Sequence, residues 1–278
     1  MLQIGRFNTL PIVKTTSFGL YLDGGTTGEI LLPNRYITAD MQTEPGTLLT
    51  VFIYRDSEDR LIATTQRPRA QVGGFANLQI VSINRTGLFL DWGLPKDLLL
   101  PHSEIRRVVN VGDFCVVYVC LDPHTQRLIA STRLDRYIDH SHPSYQIGEK
   151  VDILITDRTD LGYKTIINNK HWGLLHKNEL FKTIKIGQRH TAYIRHIRDD
   201  GNIGLSLQPI GQLESGELST RILKRLNNVG GSLPLSDKST PELIDSEFGV
   251  SKAAFKKAIG SLYKKGLIKI NPDSIMLI

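Results

Sequence analysis

The chain holds two cysteines in 278 residues, and their spacing removes them from disulfide and zinc chemistry. Cys115 and Cys120 fall in one predicted strand, and their odd separation places them on opposite faces. They cannot bridge each other, and they lack the paired ligands that zinc requires. Reduced thiols in a cytoplasmic protein are the expectation. No apolar run is long enough to span a bilayer. The N-terminus, Met1–Arg6, lacks the charged, apolar and cleavage regions of an export signal. Dense Asp, Glu and His clusters at metal-ligand spacing are missing. Nor is a Ser–His–Asp or Cys–His arrangement evident. These gaps argue against an enzyme, and no cofactor, metal or membrane partner is expected.

What is present is ordinary core material, a basic balance and a repeat. Hydrophobic residues make up 40% of the chain, and 34 Lys and Arg against 28 Asp and Glu leave a net charge of +6. Such a balance favours an anionic partner. Three segments share a pattern: Ser17–Asp23 (SFGLYLD), Arg85–Asp91 (RTGLFLD) and Asp160–Ile166 (DLGYKTI). Each sits in a unit with the same order of parts: an opening strand, a glycine-centred strand, a turn-rich stretch, an apolar strand, an Asp-containing turn and a closing strand. Internal repetition of this kind sets the architecture, and about five short strands per unit is the requirement of an OB-type barrel.

The fold class read from this pattern is mainly β with a C-terminal α+β domain: three tandem OB-fold barrels followed by a winged helix. The expected domains are residues 1–66, 67–138, 139–212 and 213–278. Gln66–Arg69 is a basic linker, and Leu134–Ser144 a polar one. After Pro209 the pattern becomes helical. Leu218, Ile222, Leu223 and Leu226 recur at helical spacing over Glu217–Asn228. Thr240-Pro241 opens a second helix that ends near Gly249, and Ser251 caps a third over Lys252–Lys265. A hairpin from Leu267 to Ile278 completes a winged-helix pattern.

The three units resemble the S-one RNA-binding domain, and the domain order is similar to that of the conserved virulence factor B family of bacterial RNA-binding regulators. The resemblance implies exposed aromatics that stack unpaired bases, followed by a His and by an Asp and Arg around the last turn. In the first unit these positions hold Phe18, Tyr21, Asp56 and Arg60, with Pro33 in place of the His. The second holds Thr86 and Phe89, Asp122 and Arg127, with Pro101 at the His position and His102 one residue later. The third holds Leu161 and Lys164, keeps His176 and Asp199, and has Asn202 where Arg is expected. Tyr163, His171 and Trp172 are its candidates for compensation.

Each assignment has a plainer counterpart. Strand aromatics usually belong to the core, and the odd spacing of Phe18 and Tyr21 puts them on opposite faces of a regular strand. Joint exposure therefore requires a kink or bulge at Gly19, as the resemblance implies. Trp92 and Trp172 are read first as structural, with an extended stacking surface second. Asp56 and Arg60 could simply pair across their turn, at little energetic value. In the winged helix, Lys252, Lys256 and Lys257 could line a phosphate backbone or form a solvated face. Ser251–Gly266 contains no Arg, Asn or Gln, so reading of base edges is poorly supported there.

The sequence thus points to a non-enzymatic protein that grips single-stranded RNA by aromatic stacking and basic contacts, regulating gene expression after transcription. Duplex nucleic acid through the winged helix is a further expected partner. Two other readings stay open: a winged-helix DNA-binding transcription regulator and an RNA nuclease accessory protein.

Overall fold

The computed structural model describes residues 1–177, 184–198 and 200–278, without the side chains of residues 210–217. The first fifteen strands form three closed barrels. The first contains β1 (Phe7–Thr15), β2 (Gly19–Asp23), β3 (Glu29–Pro33), β4 (Leu48–Arg55) and β5 (Leu61–Thr64). The second contains β6 (Phe75–Ile83), β7 (Gly87–Asp91), β8 (Leu98–Pro101), β9 (Phe114–Leu121) and β10 (Leu128–Ser131). The third contains β11 (Lys150–Arg158), β12 (Gly162–Ile167), β13 (His171–His176), β14 (Arg189–Ile197) and β15 (Ile203–Ser206). In each, the strand order runs first, second, third, fifth, fourth, the Greek-key closure of an OB fold. The third and fifth strands of the first two barrels pair in parallel, at Leu31 with Ile62 and at Leu99 with Ile129.

Alternation along β2 and β7 sets the inside and the outside. Leu20, Leu22, Leu88 and Leu90 are buried, while Tyr21 and Phe89 between them remain partly exposed. A side-chain period of two requires this. Phe18 is not part of the strand. It precedes Gly19, where the chain crosses so near its neighbour that an added Cβ would lie 2.1 Å from the Leu32 carbonyl oxygen. Gly87 approaches Leu100 in the same way, at 2.4 Å. The bulge itself lies on the partner strand rather than at Gly19. Pairing slips between Ile12 and Lys14, between Ile80 and Ser82, and between Ile155 and Asp157. One extra residue in each first strand bends it and increases its twist.

The first barrel has its own core around Leu20, Leu22 and Leu32, and the core of the second extends to one face of the first. Phe52, Tyr54 and Ile62 of the first pack with Leu90, Trp92 and Leu98 of the second, and the Phe52 and Trp92 rings meet edge-on at 5.7 Å. The connecting segment is docked on the second barrel: Arg69 N donates to the Trp92 carbonyl, and Ala70 is buried. The segment read as a polar linker after Thr132 is also partly core. Leu134–Tyr137 forms one turn of 3-10 helix, Tyr137 stacks on Tyr118 at 4.0 Å, and Ile138 is buried with Phe75, Val116 and Leu154. Its apolar residues are too widely spaced to show as a pattern, yet they fill a surface that the barrels alone leave open.

The C-terminal region comprises α1 (Ile210–Asn228), β16 (Ser232–Leu233), α2 (Pro241–Phe248), α3 (Lys252–Lys264), β17 (Ile268–Ile270) and β18 (Ile275–Leu277). The small sheet runs β16-β18-β17. Thr240 and Ser251 cap α2 and α3 through their side-chain oxygens, and Gly249 ends α2 in the left-handed conformation, as the capping pattern requires. Helix α1 starts earlier than the apolar spacing indicates, because Gly211 and Gly216 lower the local helical signal. The two-residue β16 is too short to show any periodicity. Ile222, Leu226, Phe255, Ile259 and Leu262 form the core of this region.

Gly19→Ala is expected to destabilise the chain by about 2 kcal/mol or more, because backbone must move to admit the methyl group. The urea midpoint read from Trp92 fluorescence should fall. An unchanged midpoint would contradict the close approach of β2 to β3.

Candidate nucleic-acid interface

The first barrel carries an exposed Phe18 and a half-buried Tyr21 beside a cation. The Phe18 side chain stands 72% exposed, on a turn closed by hydrogen bonds between the Thr16 hydroxyl and the Gly19 carbonyl and from Phe18 N to Thr16 Oγ1. Tyr21 pairs across β1 with Lys14, whose ammonium lies 4.9 Å from the ring centroid. Lys14 also meets the Glu29 carboxylate at 2.5 Å. Phe18 is exposed and Tyr21 half-buried, so each leaves ring surface open, and an ammonium lies beside the second. Lys14 was not legible as part of this group, since only the β1–β2 pairing brings it there.

Asp56 and Arg60 are paired across their turn, as the plainer reading has it. Asp56 accepts hydrogen bonds from Glu58 N and Arg60 N, and from Arg60 Nε and Nη2 at 2.9 and 2.8 Å. Arg60 also reaches Glu58 at 2.8 Å. Burial raises the Asp56 pKa, but the hydrogen bonds from Arg60 outweigh it and leave the carboxyl below its ordinary value. Asp56 therefore organises the β4–β5 turn, and Arg60 is already shared between two carboxylates.

In the second barrel, Phe89 and Arg127 come together in a cleft against the first. Its volume is about 540 Å³, and its lining includes Thr86, Phe89, Lys96 and Arg127 with Ser57 and Asp59 of the first barrel. Arg127 pairs with Asp59 at 3.2 Å rather than through its own turn. Asp122 instead caps that turn, accepting from His124 N, Thr125 N and the Thr125 hydroxyl. Trp92 does not extend the stacking surface. It is 2% exposed and donates from its indole N–H to the Lys96 carbonyl at 2.7 Å, because the shared core needs a large ring there. His102 turns to the Asn84 carbonyl.

The third barrel has a basic edge and little aromatic platform. Lys164 Nζ lies 3.7 Å from the Trp172 ring centroid and 3.3 Å from Asp135, which also takes Arg106 at 2.6 Å. Leu161 is exposed. The Tyr163 hydroxyl donates to the Ile184 carbonyl. His171 is largely buried beside Asp139 at 3.8 Å, so it does not compensate at the surface. Asn202 bonds to Asp200, and Asp199 lies outside the described residues. His176 ends β13 and has an unexpected neighbour, His196, at 6.1 Å between ring centroids. In the winged helix, Lys252 donates to the Lys238 carbonyl, Lys256 lies 3.9 Å from Asp237, and Lys257 is exposed on the same helix.

Comparison with known proteins fits this geometry. Residues 4–66 and 72–133 each match the S1 domain, and residues 220–277 match the CvfB-like winged helix domain. The fold and these matches thus define a nucleic-acid-binding protein built of tandem S1-type barrels and a winged helix. The Bacillus subtilis protein YitL, named as uncharacterized, is 30% identical over 95% of this chain and 90% of its own length. Conserved virulence factor B of Staphylococcus haemolyticus is 26% identical, covering 99% of this chain and 94% of that one. The chain belongs to the conserved virulence factor B family. A Streptococcus pneumoniae multidomain protein with nucleic acid binding domains, known from a crystal structure, is 22% identical, with 99% and 98% of the two chains covered and a TM-score of 0.43. No helix among the described residues is long and apolar enough to cross a membrane.

The histidine pair yields a pH prediction. Burial lowers the His196 pKa below the ordinary 6.5, with Arg198, His176 and Arg195 acting in the same direction. The unfolded chain therefore takes the proton first. The neutral ring's contribution is complete above about pH 6.5 and is lost as pH falls through the lower folded value. The melting temperature should be lower near pH 5 than near pH 7, and His196→Gln should shrink that difference. An equal pH dependence in the variant would contradict the assignment.

Proposed function

We propose that this protein grips single-stranded RNA and regulates gene expression after transcription. The observation that carries the reading is the outward pair Phe18 and Tyr21 with Lys14 beside it. An exposed Phe18 and a half-buried Tyr21 leave ring faces that serve as stacking surface for unpaired bases, a contact worth about 1–3 kcal/mol per base. Duplex RNA hides its bases within the stack, so the same surface favours single strands.

Roles for the other candidate residues follow from their neighbours. Phe89 and Arg127 form the second contact, and Lys164 with Trp172 a third, mainly electrostatic one. Asp56 and Asp122 hold their turns, and Arg60 reaches RNA only by leaving a carboxylate. His176 is available as a further contact. Several weak modules on one chain gain affinity when a single strand reaches more than one of them. Lys252, Lys256 and Lys257 would add phosphate contacts through α3. Lys252 and Lys256 are engaged within the winged helix, and α3 lacks side chains suited to base edges. A duplex-reading role is therefore the weaker proposal. The regulatory part of the reading rests on kinship with proteins named conserved virulence factor B.

The test is fluorescence polarisation with a labelled single-stranded RNA and its duplex counterpart across a range of salt concentrations. The single strand should bind more tightly, and Phe18→Ala/Tyr21→Ala should weaken it by about tenfold or more. Affinity should fall with salt, as release of counterions requires. Unchanged affinity in a folded double variant would remove the aromatic pair from the account.

A further inference from the structure

The cleft between the first two barrels has features that stacking on an outer face does not need. Its volume of about 540 Å³ lies within the range of roughly 300–1,000 Å³ found for small-ligand sites. One wall carries the Phe89 ring and the Thr86 hydroxyl, and the other the β4–β5 turn of the first barrel. Three cations line it, Arg55, Lys96 and Arg127, against the two carboxylates Asp59 and Asp97.

These cations are held as an anion would hold them. Lys96 Nζ donates to the Asp56 carbonyl at 2.6 Å, and Arg127 Nη2 meets the Asp59 carboxylate at 3.2 Å. Arg55 Nε is buried and has no acceptor among the described residues. A buried N–H left in that state is costly unless a ligand or solvent oxygen completes it. Burial also lowers the Lys96 pKa, against the pull of Asp59 and Asp56, so an anion entering the cleft would favour its charged form.

We propose that this cleft binds one nucleotide unit, its base against Phe89 and its phosphate taken by Arg127 and Lys96 in exchange for Asp59. The assignment rests on the RNA-binding reading and adds a two-barrel subsite to it. The unit is either one residue of a strand that crosses between the barrels or a free mononucleotide, and the recognition chemistry is the same for both. Phe89 supplies a π-face that tolerates any base, and Arg127 supplies a fork suited to phosphate oxygens.

Asp59 makes the proposal testable by sign. If the Asp59–Arg127 pair only joins the barrels, Asp59→Asn and Arg127→Gln remove the same contact and act alike. If Arg127 serves a phosphate, the first substitution frees it and the second deletes it. Both side chains are more than two-fifths exposed, at 42% and 59%, so the pair adds little to stability. The barrels remain joined by the core around Phe52 and Trp92, which lets both variants fold.

The experiment uses the full chain, a fluorescein-labelled single-stranded RNA of about 12 nucleotides, and adenosine monophosphate in a calorimetric titration. RNA affinity should fall about threefold to tenfold in Arg127→Gln and about tenfold in Phe89→Leu, and rise about twofold to fivefold in Asp59→Asn. Adenosine monophosphate binding that Arg127→Gln abolishes would support the subsite with a free nucleotide as occupant. The same pattern of RNA affinities without mononucleotide binding would support it for a nucleotide within a strand. If the three variants bind RNA like wild type while Phe18→Ala/Tyr21→Ala weakens it, the cleft is overturned and the RNA reading stands. Asp59→Asn and Arg127→Gln moving in the same direction overturns the cleft as well. A wild-type chain that binds neither probe overturns both.

Discussion

The close approach of backbone at Gly19 is the constraint on which the outer surface of the first barrel depends. A Cβ at Gly19 would lie 2.1 Å from the Leu32 carbonyl oxygen, so only a residue without a side chain fits. This contact starts β2 at Gly19 and leaves Phe18 outside the strand, free of the alternation that would otherwise turn it inward. The slip in pairing between Ile12 and Lys14 then bends β1 and sets Lys14 opposite Tyr21. Gly87 and the slip after Ile80 repeat the arrangement in the second barrel. The scaffold is therefore constant, and the residues carried by it vary: Phe18 and Tyr21, then Thr86 and Phe89, then Leu161 and Lys164. Stacking area declines along the series, and in the third barrel a lysine replaces the second ring.

Electrostatics add a second theme. Most basic side chains near these surfaces are already engaged by carboxylates of the same chain: Lys14 by Glu29, Arg60 by Asp56 and Glu58, Arg127 by Asp59, and Lys164 by Asp135. Apart from the largely covered Asp56 carboxylate, these groups are exposed and their pairs individually weak. On the proposed function, an incoming phosphate would exchange one partner for another instead of meeting a bare cation. Such exchange would limit nonspecific affinity, despite a net charge of +6. Aromatic contacts, which have no internal competitor at Phe18, then weigh more in the balance.

The architecture was legible because it repeats. A glycine-centred strand, an Asp-bearing turn and a closing strand recur three times, and local caps at Thr240 and Ser251 mark the helices that follow. The surfaces were legible only where neighbours in sequence are neighbours in space, as with Asp56 and Arg60. Trp92 reads first as structural and second as part of a stacking surface, because it lies three residues from Phe89 in the chain. Its burial follows from Phe52, forty positions earlier in the chain, and no local pattern reports that contact. Lys96, Asp59 and His196 were missed for the same reason, since their partners lie in other strands or in another barrel. The segment around Tyr137 reads as a polar linker because its apolar residues match neither strand nor helix spacing, yet Tyr118 gives them a place to pack.

The central claim is that bases stack on Phe18 and Tyr21. It is tested most directly by the ring resonances of these two residues in a selectively labelled chain titrated with single-stranded RNA. The account predicts that both shift upfield together, as rings do when covered by a base, and saturate with the binding isotherm. Rings that keep their positions while resonances of the α3 lysines move would contradict it, and would place the RNA on the winged helix instead.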